Sequence, residues 1–157
     1  MKDYTILTEK RPKWDEKKEA FFKNEVDKTV FKLEEVPINT SLKKYMYWIA
    51  ESTKGEFLGC AWLYEKQEIS VCVKANCHKS EVGTNLIKII EQDAKKMKLS
   101  QLTAVVESKN VMAPSVLKWL YDLGYQWEIA DGTYVSLDQA LEALKKKIDS
   151  IYLSKKI

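Results

Sequence analysis

The chain contains few of the residues on which triad hydrolases and nucleic-acid-binding proteins depend. Its 157 residues include one histidine, and the formal net charge is only +3. His78 would therefore have to serve any triad of the Ser-His-Asp kind, and the sequence contains no nucleophile elbow. Acidic and basic residues are interspersed, so no strong basic field indicates nucleic-acid binding.

Cysteine is also scarce. Cys60, Cys72 and Cys77 are odd in number and lie in or beside predicted strands, which indicates a reducing intracellular compartment and a cytoplasmic location. Cys72 and Cys77 lack the short Cys-x-x-Cys spacing, and no second cluster completes a tetrahedral site. We therefore predict that the protein holds no metal.

Long apolar runs are missing as well. No stretch is long enough to span a bilayer, and residues 1–19 lack the apolar core of a secretory signal. The hydrophobic fraction is nevertheless 45%, with five Trp and eight Tyr. This composition is typical of a globular protein with an aromatic-rich core or an aromatic-lined groove. The length suits one compact core, so residues 1–157 are predicted to form a single domain.

Periodicity and turn residues predict the secondary structure. Strands are expected at residues 3–9, 45–50, 57–64, 69–73, 102–106, 125–129 and 133–135. Helices are expected at residues 14–32, 83–97, 116–123 and about 136–153. The strands before residue 74 predict an antiparallel meander, and strand 102–106 is expected to follow by a right-handed parallel crossover. The predicted class is α+β, with a mixed, mostly antiparallel central sheet flanked by helices.

The most informative segment runs from Ile69 to Leu86. Ile69, Val71 and Val73 alternate with less apolar residues, as in a strand with one buried face. A short polar loop follows and leads directly into an amphipathic helix, with Gly83 just inside its start. Because a helix N-terminus offers backbone N–H groups and a positive dipole end, this pattern predicts a phosphate site. An ordinary strand-to-helix turn is the alternative.

Two stretches of the chain carry a resemblance to a known family. The first is VKANCHKSEVG, from Val73 to Gly83, and the second contains Asn110 and ends in WLYDLGY at Tyr125. Together with the order of elements, they resemble the GNAT N-acetyltransferase superfamily. Its phosphate-loop strand ends in Val-x-Pro and is followed by Arg or Gln, then x-x-Gly-x-Gly/Ala, and a later helix carries a Tyr and ends in Gly-Phe. The resemblance covers roughly residues 45–127 and leaves the predicted C-terminal helix outside.

The resemblance implies an acetyl-CoA-dependent N-acetyltransferase that acts on an amine of a small molecule or protein. It implies a GNAT-like sheet, no metal, and neither membrane nor nucleic acid as a partner, while a homodimer is among the assemblies it allows. Tyr121 is implied as the proton donor to the departing thiolate, and Glu68 is a candidate general base. The residues expected to hold the cofactor are Val71, Val73, His78, Lys79, Ser80, Val82, Gly83, Thr84 and Asn110.

Several positions depart from the family pattern. His78 replaces the Arg or Gln, and Ala75 replaces the proline. Glu81 stands where the first glycine is expected, which brings a carboxylate towards a pyrophosphate. Tyr121 lies one position after the family tyrosine, and one step rotates a helical side chain by about 100°. These departures leave a second interpretation open, a GNAT-fold binding or regulatory module that has lost catalysis.

Overall fold

The computed structural model describes residues 3–26, 36–77, 81–146 and 148–157. The chain divides into two compact units, residues 1–99 and residues 100–157. The described residues form eight strands, four α-helices and one 3-10 turn. The prediction that residues 1–157 form a single domain stays a prediction.

The first unit is an antiparallel sheet with two helices. Its elements are β1 (Tyr4–Glu9), α1 (Glu16–Asn24), β2 (Tyr45–Ser52), β3 (Phe57–Tyr64), β4 (Glu68–Val73), a 3-10 turn (Ala75–Cys77) and α2 (Val82–Lys96). The strands lie in the order β1-β2-β3-β4, so the predicted meander is confirmed. Helix α1 begins where the Asp15 side chain accepts a hydrogen bond from the Lys18 backbone at 2.8 Å. Residues 27–32 of the helix predicted over 14–32 lie outside the described residues.

Aromatic side chains fill one face of this sheet, beneath α1. Phe22 lies between Trp14 and Trp62, with ring centroids 5.8 and 5.5 Å away, and Trp62 stacks on Tyr47 at 5.8 Å. All four rings are buried. The many aromatic residues of the sequence therefore form a core on this face, while α2 packs on the opposite face against β2, β3 and β4.

The second unit contains four strands, paired antiparallel, and two helices. Its elements are β5 (Gln101–Glu107), α3 (Ala113–Asp122), β6 (Gln126–Ala130), β7 (Thr133–Val135), α4 (Leu137–Lys145) and β8 (Ser150–Lys156). The strands lie in the order β5-β8-β6-β7. The last strand in sequence is thus placed between β5 and β6.

The C-terminal helix is present but shorter than predicted. Ser136 caps α4 with a capping box, as the sequence indicates, but the helix ends at Lys145. The predicted helical residues near the end of the chain instead form β8, where Ile151 and Leu153 are buried and Tyr152 is exposed. This alternation is the period of a strand, and pairing with β5 on one side and β6 on the other satisfies its backbone.

The predicted fold class is confirmed. Helices and strands form an α+β structure whose strand pairs within each unit are antiparallel. Among the helices of the described ranges, none is long and apolar enough to cross a membrane.

Candidate functional site

The predicted phosphate segment has strand, turn and helix in the expected order. The Lys74 N–H donates to the carbonyl of Leu58 at 2.8 Å, which is the final backbone bond between β3 and β4. The chain then folds into the 3-10 turn, closed by a bond from the Cys77 N–H to the carbonyl of Lys74 at 2.8 Å. Four residues separate the end of the turn at Cys77 from the start of α2 at Val82. His78, Lys79 and Ser80, predicted to hold the cofactor, lie outside the described residues.

The start of α2 carries no charge of its own that would neutralise the helix dipole. Glu81 precedes the helix, but its side chain is exposed and makes no capping hydrogen bond. The first turn contains no acidic residue. Val82 and Gly83 are buried, and Thr84 is half-buried. The Glu81 side chain therefore does not cap α2 and stands at the surface beside the positive end of the helix, the end that favours an anion.

Gly59 on β3 sets the close packing of this helix start on the sheet. A Cβ atom at Gly59 would lie 3.0 Å from Val82 Cγ1 and 3.1 Å from Leu86 Cδ1. These distances are shorter than ordinary van der Waals contact, so a Cβ atom at this position would require Val82 and Leu86 to shift by a few tenths of an ångström. Sequence reasoning missed Gly59, although a lone glycine inside a strand pattern signals a close backbone approach.

Two further hydrogen bonds fix α2 along its length. The Asn85 amide donates to the Tyr4 hydroxyl on β1 at 2.6 Å. The indole N–H of Trp48, a fully buried residue of β2, donates to the Asp93 carboxylate at 2.8 Å. Both ends of the helix are thus tied to the sheet, and its N-terminus is a preorganised feature of the first unit.

The β4 residues proposed for the cofactor line the α2 side of the sheet. Val71 and Val73 are half-buried and lie on the same face as Ile69, as the alternation predicts. The opposite face is buried too, because Cys72 lies there directly opposite Cys60 of β3. Burial raises the pKa of the Cys72 thiol to about 12 and the pKa of Cys60 well above its usual value. Both remain neutral thiols near pH 7 and are poor nucleophiles.

The candidate base, Glu68, lies at the other end of β4. It is the first residue of the strand and pairs with Tyr64, about 17 Å along the strand from Val73. Its position in the alternation puts it on the face opposite Val71 and Val73. The neighbouring carboxylate of Glu65 forms an ion pair with Lys44 at 3.3 Å. The structure therefore does not bring Glu68 to the predicted phosphate segment.

The remaining predicted site residues, Asn110 and Tyr121, belong to the second unit, where each has a local partner. The Asn110 side-chain oxygen accepts a hydrogen bond from the Met112 N–H at 2.8 Å, just before α3 begins. The Tyr121 hydroxyl donates to the carbonyl of Val135 at 2.7 Å and accepts from the Trp127 N–H at 3.3 Å. Burial raises the pKa of Tyr121, and the bond from Trp127 lowers it by less. Its hydroxyl therefore joins α3 to the β6–β7 hairpin.

The part of the chain that the structure describes contains no group of three or more His, Cys, Asp or Glu side chains placed to hold a metal ion.

Comparison with known proteins identifies the family. The model of the Acetyltransferase (GNAT) family matches residues 10–120, well over half of the chain. The chain belongs to the GNAT acetyltransferase family. The resemblance to this family is thereby confirmed; the match includes the N-terminal helix and ends at residue 120, before Tyr121 and Gly124. No curated protein matches the chain.

Solved GNAT structures share the fold at low sequence identity. An IAA acetyltransferase from Bacillus cereus ATCC 14579 is 18% identical with a TM-score of 0.61, over 98% of this chain and 100% of the other. A phosphinothricin acetyltransferase from Sinorhizobium meliloti, in complex with AcCoA, is 16% identical with a TM-score of 0.52, over 72% of this chain and 61% of the other. A PaiA N-acetyltransferase from Thermoplasma acidophilum, in complex with coenzyme A, is 16% identical with a TM-score of 0.53, over 73% and 62%.

Proposed function

We propose that this GNAT protein is an N-acetyltransferase that transfers the acetyl group of acetyl-CoA to an amine of a small molecule or protein. The observation that carries the proposal is the β4–turn–α2 segment, whose helix start is held tightly on the sheet at Gly59 and has no capping carboxylate. The family match and two solved relatives that contain CoA or acetyl-CoA support it. The proposal favours catalysis over the interpretation as a binding module.

The residues present fit a CoA ligand at this segment. Backbone groups at the start of α2, at Val82, Gly83 and Thr84, would face the pyrophosphate, because anions are stabilised at a helix N-terminus. The half-buried side chains of Val71 and Val73 would contact the extended arm. When bound, acetyl-CoA supplies the acyl group as a thioester. In the overall reaction the acyl carbon gains a bond to the amine nitrogen and loses its bond to sulfur, and one proton passes from nitrogen to sulfur.

Two side chains are proposed for the proton steps. Tyr121 would donate the proton to the thiolate; it lies in α3, the helix before Gly124, one position after the family tyrosine. Glu68 would accept the amine proton, directly or through water, and its half-buried carboxylate is a suitable type of base. Asn110 and the undescribed His78, Lys79 and Ser80 remain proposed cofactor contacts on the resemblance alone.

The test is calorimetric titration with acetyl-CoA, followed by thiol release in the presence of a panel of amines. We expect binding with one site per chain and amine-dependent release of CoA. A folded protein that binds neither CoA nor acetyl-CoA would overturn the proposal. Binding without release for any amine would favour the binding-module interpretation instead.

A cytoplasmic location and a homodimeric state are also proposals. Cys60, Cys72 and Cys77 form no disulfide among the described residues, which supports a reducing compartment. Light scattering on the purified protein would measure the oligomeric state directly.

A further inference from the structure

The first strand, β1, ends the sheet of the first unit, and among the described residues it pairs only with β2. Its register with β2 is unbroken from Tyr4 to Glu9, and the strand contains no proline, no lysine and no bulge. Natural proteins commonly use such features to keep an edge strand from pairing. By contrast, β7 at the end of the second unit's order is three residues long and pairs irregularly with β6. Of these two edges, β1 is the one suited to accept another strand.

The hydrogen-bonding groups that β1 turns outwards follow from the ladder of the sheet. In an antiparallel pair, opposite residues alternate between bonded and non-bonded, and neighbours along a strand point in opposite directions. The bond from the Lys74 N–H to the Leu58 carbonyl sets this alternation, which the registers of β3 and β2 carry to β1. It directs the backbone groups of Leu7 towards β2 and those of Ile6 and Thr8 away from it.

Leu7 is the large apolar side chain at this edge. It lies opposite Ile49 on the α1 face of the sheet, yet 48% of it is exposed. Thr5 and Glu9 flank it on the same face, since alternate residues of a strand share a face. A strand added at this edge would place its own side chains beside Leu7 and cover it.

Charge favours one register for a second copy of β1. Asp3 and Arg11 are exposed and lie just beyond the two ends of the strand. An antiparallel pair centred on Leu7 puts the two Leu7 side chains opposite each other, and brings Asp3 opposite Arg11 of the second copy. Centred one residue earlier, the pair would bring Asp3 opposite Glu9, two like charges; centred one residue later, it would bring Leu7 opposite Glu9. The strand is therefore complementary to itself about Leu7.

We propose that β1 pairs with β1 of a second copy of this chain, antiparallel about a two-fold axis at Leu7. Leu7 would form a non-hydrogen-bonded pair, in which the Cα atoms lie about 4.5 Å apart and the side chains approach closely. Ile6 and Thr8 would exchange backbone hydrogen bonds with Thr8 and Ile6 of the second copy. The inference assigns a surface to the proposed homodimer and does not depend on catalysis.

Cysteine cross-linking tests the register. Because a disulfide spans Cα atoms about 4.4–6.8 Å apart, Leu7→Cys should form a covalent dimer with a mild thiol oxidant such as diamide. Thr5→Cys is the matched control, since Thr5 is exposed on the same face of the same strand. Its counterpart in the second copy lies four residues along the strand, about 13 Å away, so it should form no more dimer than the parent.

Sedimentation equilibrium tests the pairing itself. Thr8→Pro removes an outward N–H, a change that an edge strand tolerates. We expect the Kd of the dimer to rise by about tenfold, because two backbone hydrogen bonds are lost per dimer. Leu7→Lys, which places a charge at the edge, should weaken the dimer as well. Val111→Lys, at an apolar residue of the second unit that is 69% exposed, is the control.

The outcomes separate this inference from the others. A parent that remains monomeric refutes both the homodimer and this surface. A dimer that survives Thr8→Pro and Leu7→Lys, or that Val111→Lys weakens equally, overturns β1 as the interface. Equal cross-linking of Thr5→Cys and Leu7→Cys overturns the register. Circular dichroism verifies that each variant is folded, and Leu7→Lys decides if Thr8→Pro is not. The proposed function is tested separately, by titration with acetyl-CoA.

Discussion

At the scale of single residues, Tyr121 combines a proposed catalytic role with an observed structural one. The resemblance selects it as a proton donor, yet its hydroxyl proton is donated to the carbonyl of Val135, fourteen residues away. A proton donor must release that proton during turnover, and a structural hydroxyl must keep it. Replacing Tyr121 with phenylalanine distinguishes the two roles, because loss of the proton donor lowers turnover and loss of the structural hydroxyl lowers stability.

Tyr121→Phe removes the hydroxyl and leaves the ring. We expect the free energy of unfolding, measured in urea, to fall by about 1–2 kcal/mol, because the Val135 carbonyl and the Trp127 N–H lose their partner. If Tyr121 is also the proton donor, turnover should fall by about 10²–10⁴-fold with little change in CoA affinity. Turnover equal to that of the parent, in an active preparation, would remove Tyr121 from the mechanism.

Lys18 is the buried charge of the first unit. Its ammonium lies 2.6 Å from the Glu9 carboxylate and 2.9 Å from that of Asp15, and its side chain is 0% exposed. Burial alone lowers the pKa of Lys18, but the hydrogen bonds to Glu9 and Asp15 outweigh it, so that the pKa is raised above its usual value of 10.5. The ion pairs thus join α1 to β1 as long as Lys18 carries its proton.

The raised pKa predicts how stability depends on pH. Because the folded state binds the Lys18 proton more tightly than the unfolded state, the stabilisation is complete below about pH 10.5 and is lost as the pH rises through the folded pKa. The difference in unfolding free energy between the parent and Lys18→Met should therefore be constant from neutral pH to about that value and then shrink. Lys17→Met, at an exposed neighbour, should show no such change. A difference that grows in alkali would contradict the assignment.

At the scale of elements, two helices end in the same way with different residues. After α2, the Leu99 N–H bonds to the carbonyl of Ala94 and Lys98 takes φ = 63°. After α3, the Tyr125 N–H bonds to the carbonyl of Leu120 and Gly124 takes φ = 96°. Both are Schellman motifs, whose left-handed position favours glycine, so Lys98 is strained where Gly124 is not.

Lys98→Gly should therefore stabilise the protein by up to about 1 kcal/mol. The reciprocal change, Gly124→Ala, should destabilise it by a similar or larger amount, since its Cβ would also lie 3.2 Å from Lys155 Cε. Thermal unfolding of both variants measures the effect. A lower melting temperature for Lys98→Gly would show that the lysine side chain stabilises the protein by more than its left-handed backbone conformation destabilises it.

The packing of α2 on β3 is the second element-scale feature open to test. Gly59→Ala places a methyl group 3.0 Å from Val82 Cγ1, and overpacking of this kind costs about 1–3 kcal/mol. If the strain is relieved by a shift of the first turn of α2, CoA binding measured by calorimetry should weaken as well. The double variant Gly59→Ala, Val82→Ala should recover part of both losses. Parent-like stability and affinity in Gly59→Ala would mean that the contact does not position the helix.

The sequence predicted a helix or strand correctly where the spacing of its apolar residues matched only one of the two. The apolar stripe of α2 and the alternation of β4 each match a single template, and both elements formed close to the expected bounds. The end of the chain was predicted as helix but forms a strand. Ile148, Ile151 and Leu153 fit the spacing of a helical stripe as well as that of a strand, and only the pairing of β8 with β5 and β6 decides between them. The hydrogen-bond partners of Tyr121 and Lys18 could not be predicted from the sequence either, because contacts between residues distant in the chain depend on how the strands and helices are arranged.

At the scale of the whole molecule, the proposed site residues divide between the two units. The β4–α2 segment belongs to residues 1–99, whereas Asn110 and Tyr121 belong to residues 100–157. The family resemblance assigns both groups to one cofactor. Ligand binding stabilises whatever it contacts, so the response of each unit to CoA is a direct test of that assignment.

Amide hydrogen exchange, with and without saturating CoA, makes this test. Ligand contacts suppress local opening, so exchange should slow in β4 and the first turns of α2 if the segment holds the cofactor. If Asn110 and Tyr121 also contact it, residues 108–122 should be protected as well, while α4, which contains no proposed contact, serves as the internal control. Protection confined to the first unit would remove both residues from the cofactor site. Uniform protection that includes α4 would indicate global stabilisation, and protection of 108–122 without β4–α2 would refute the segment itself.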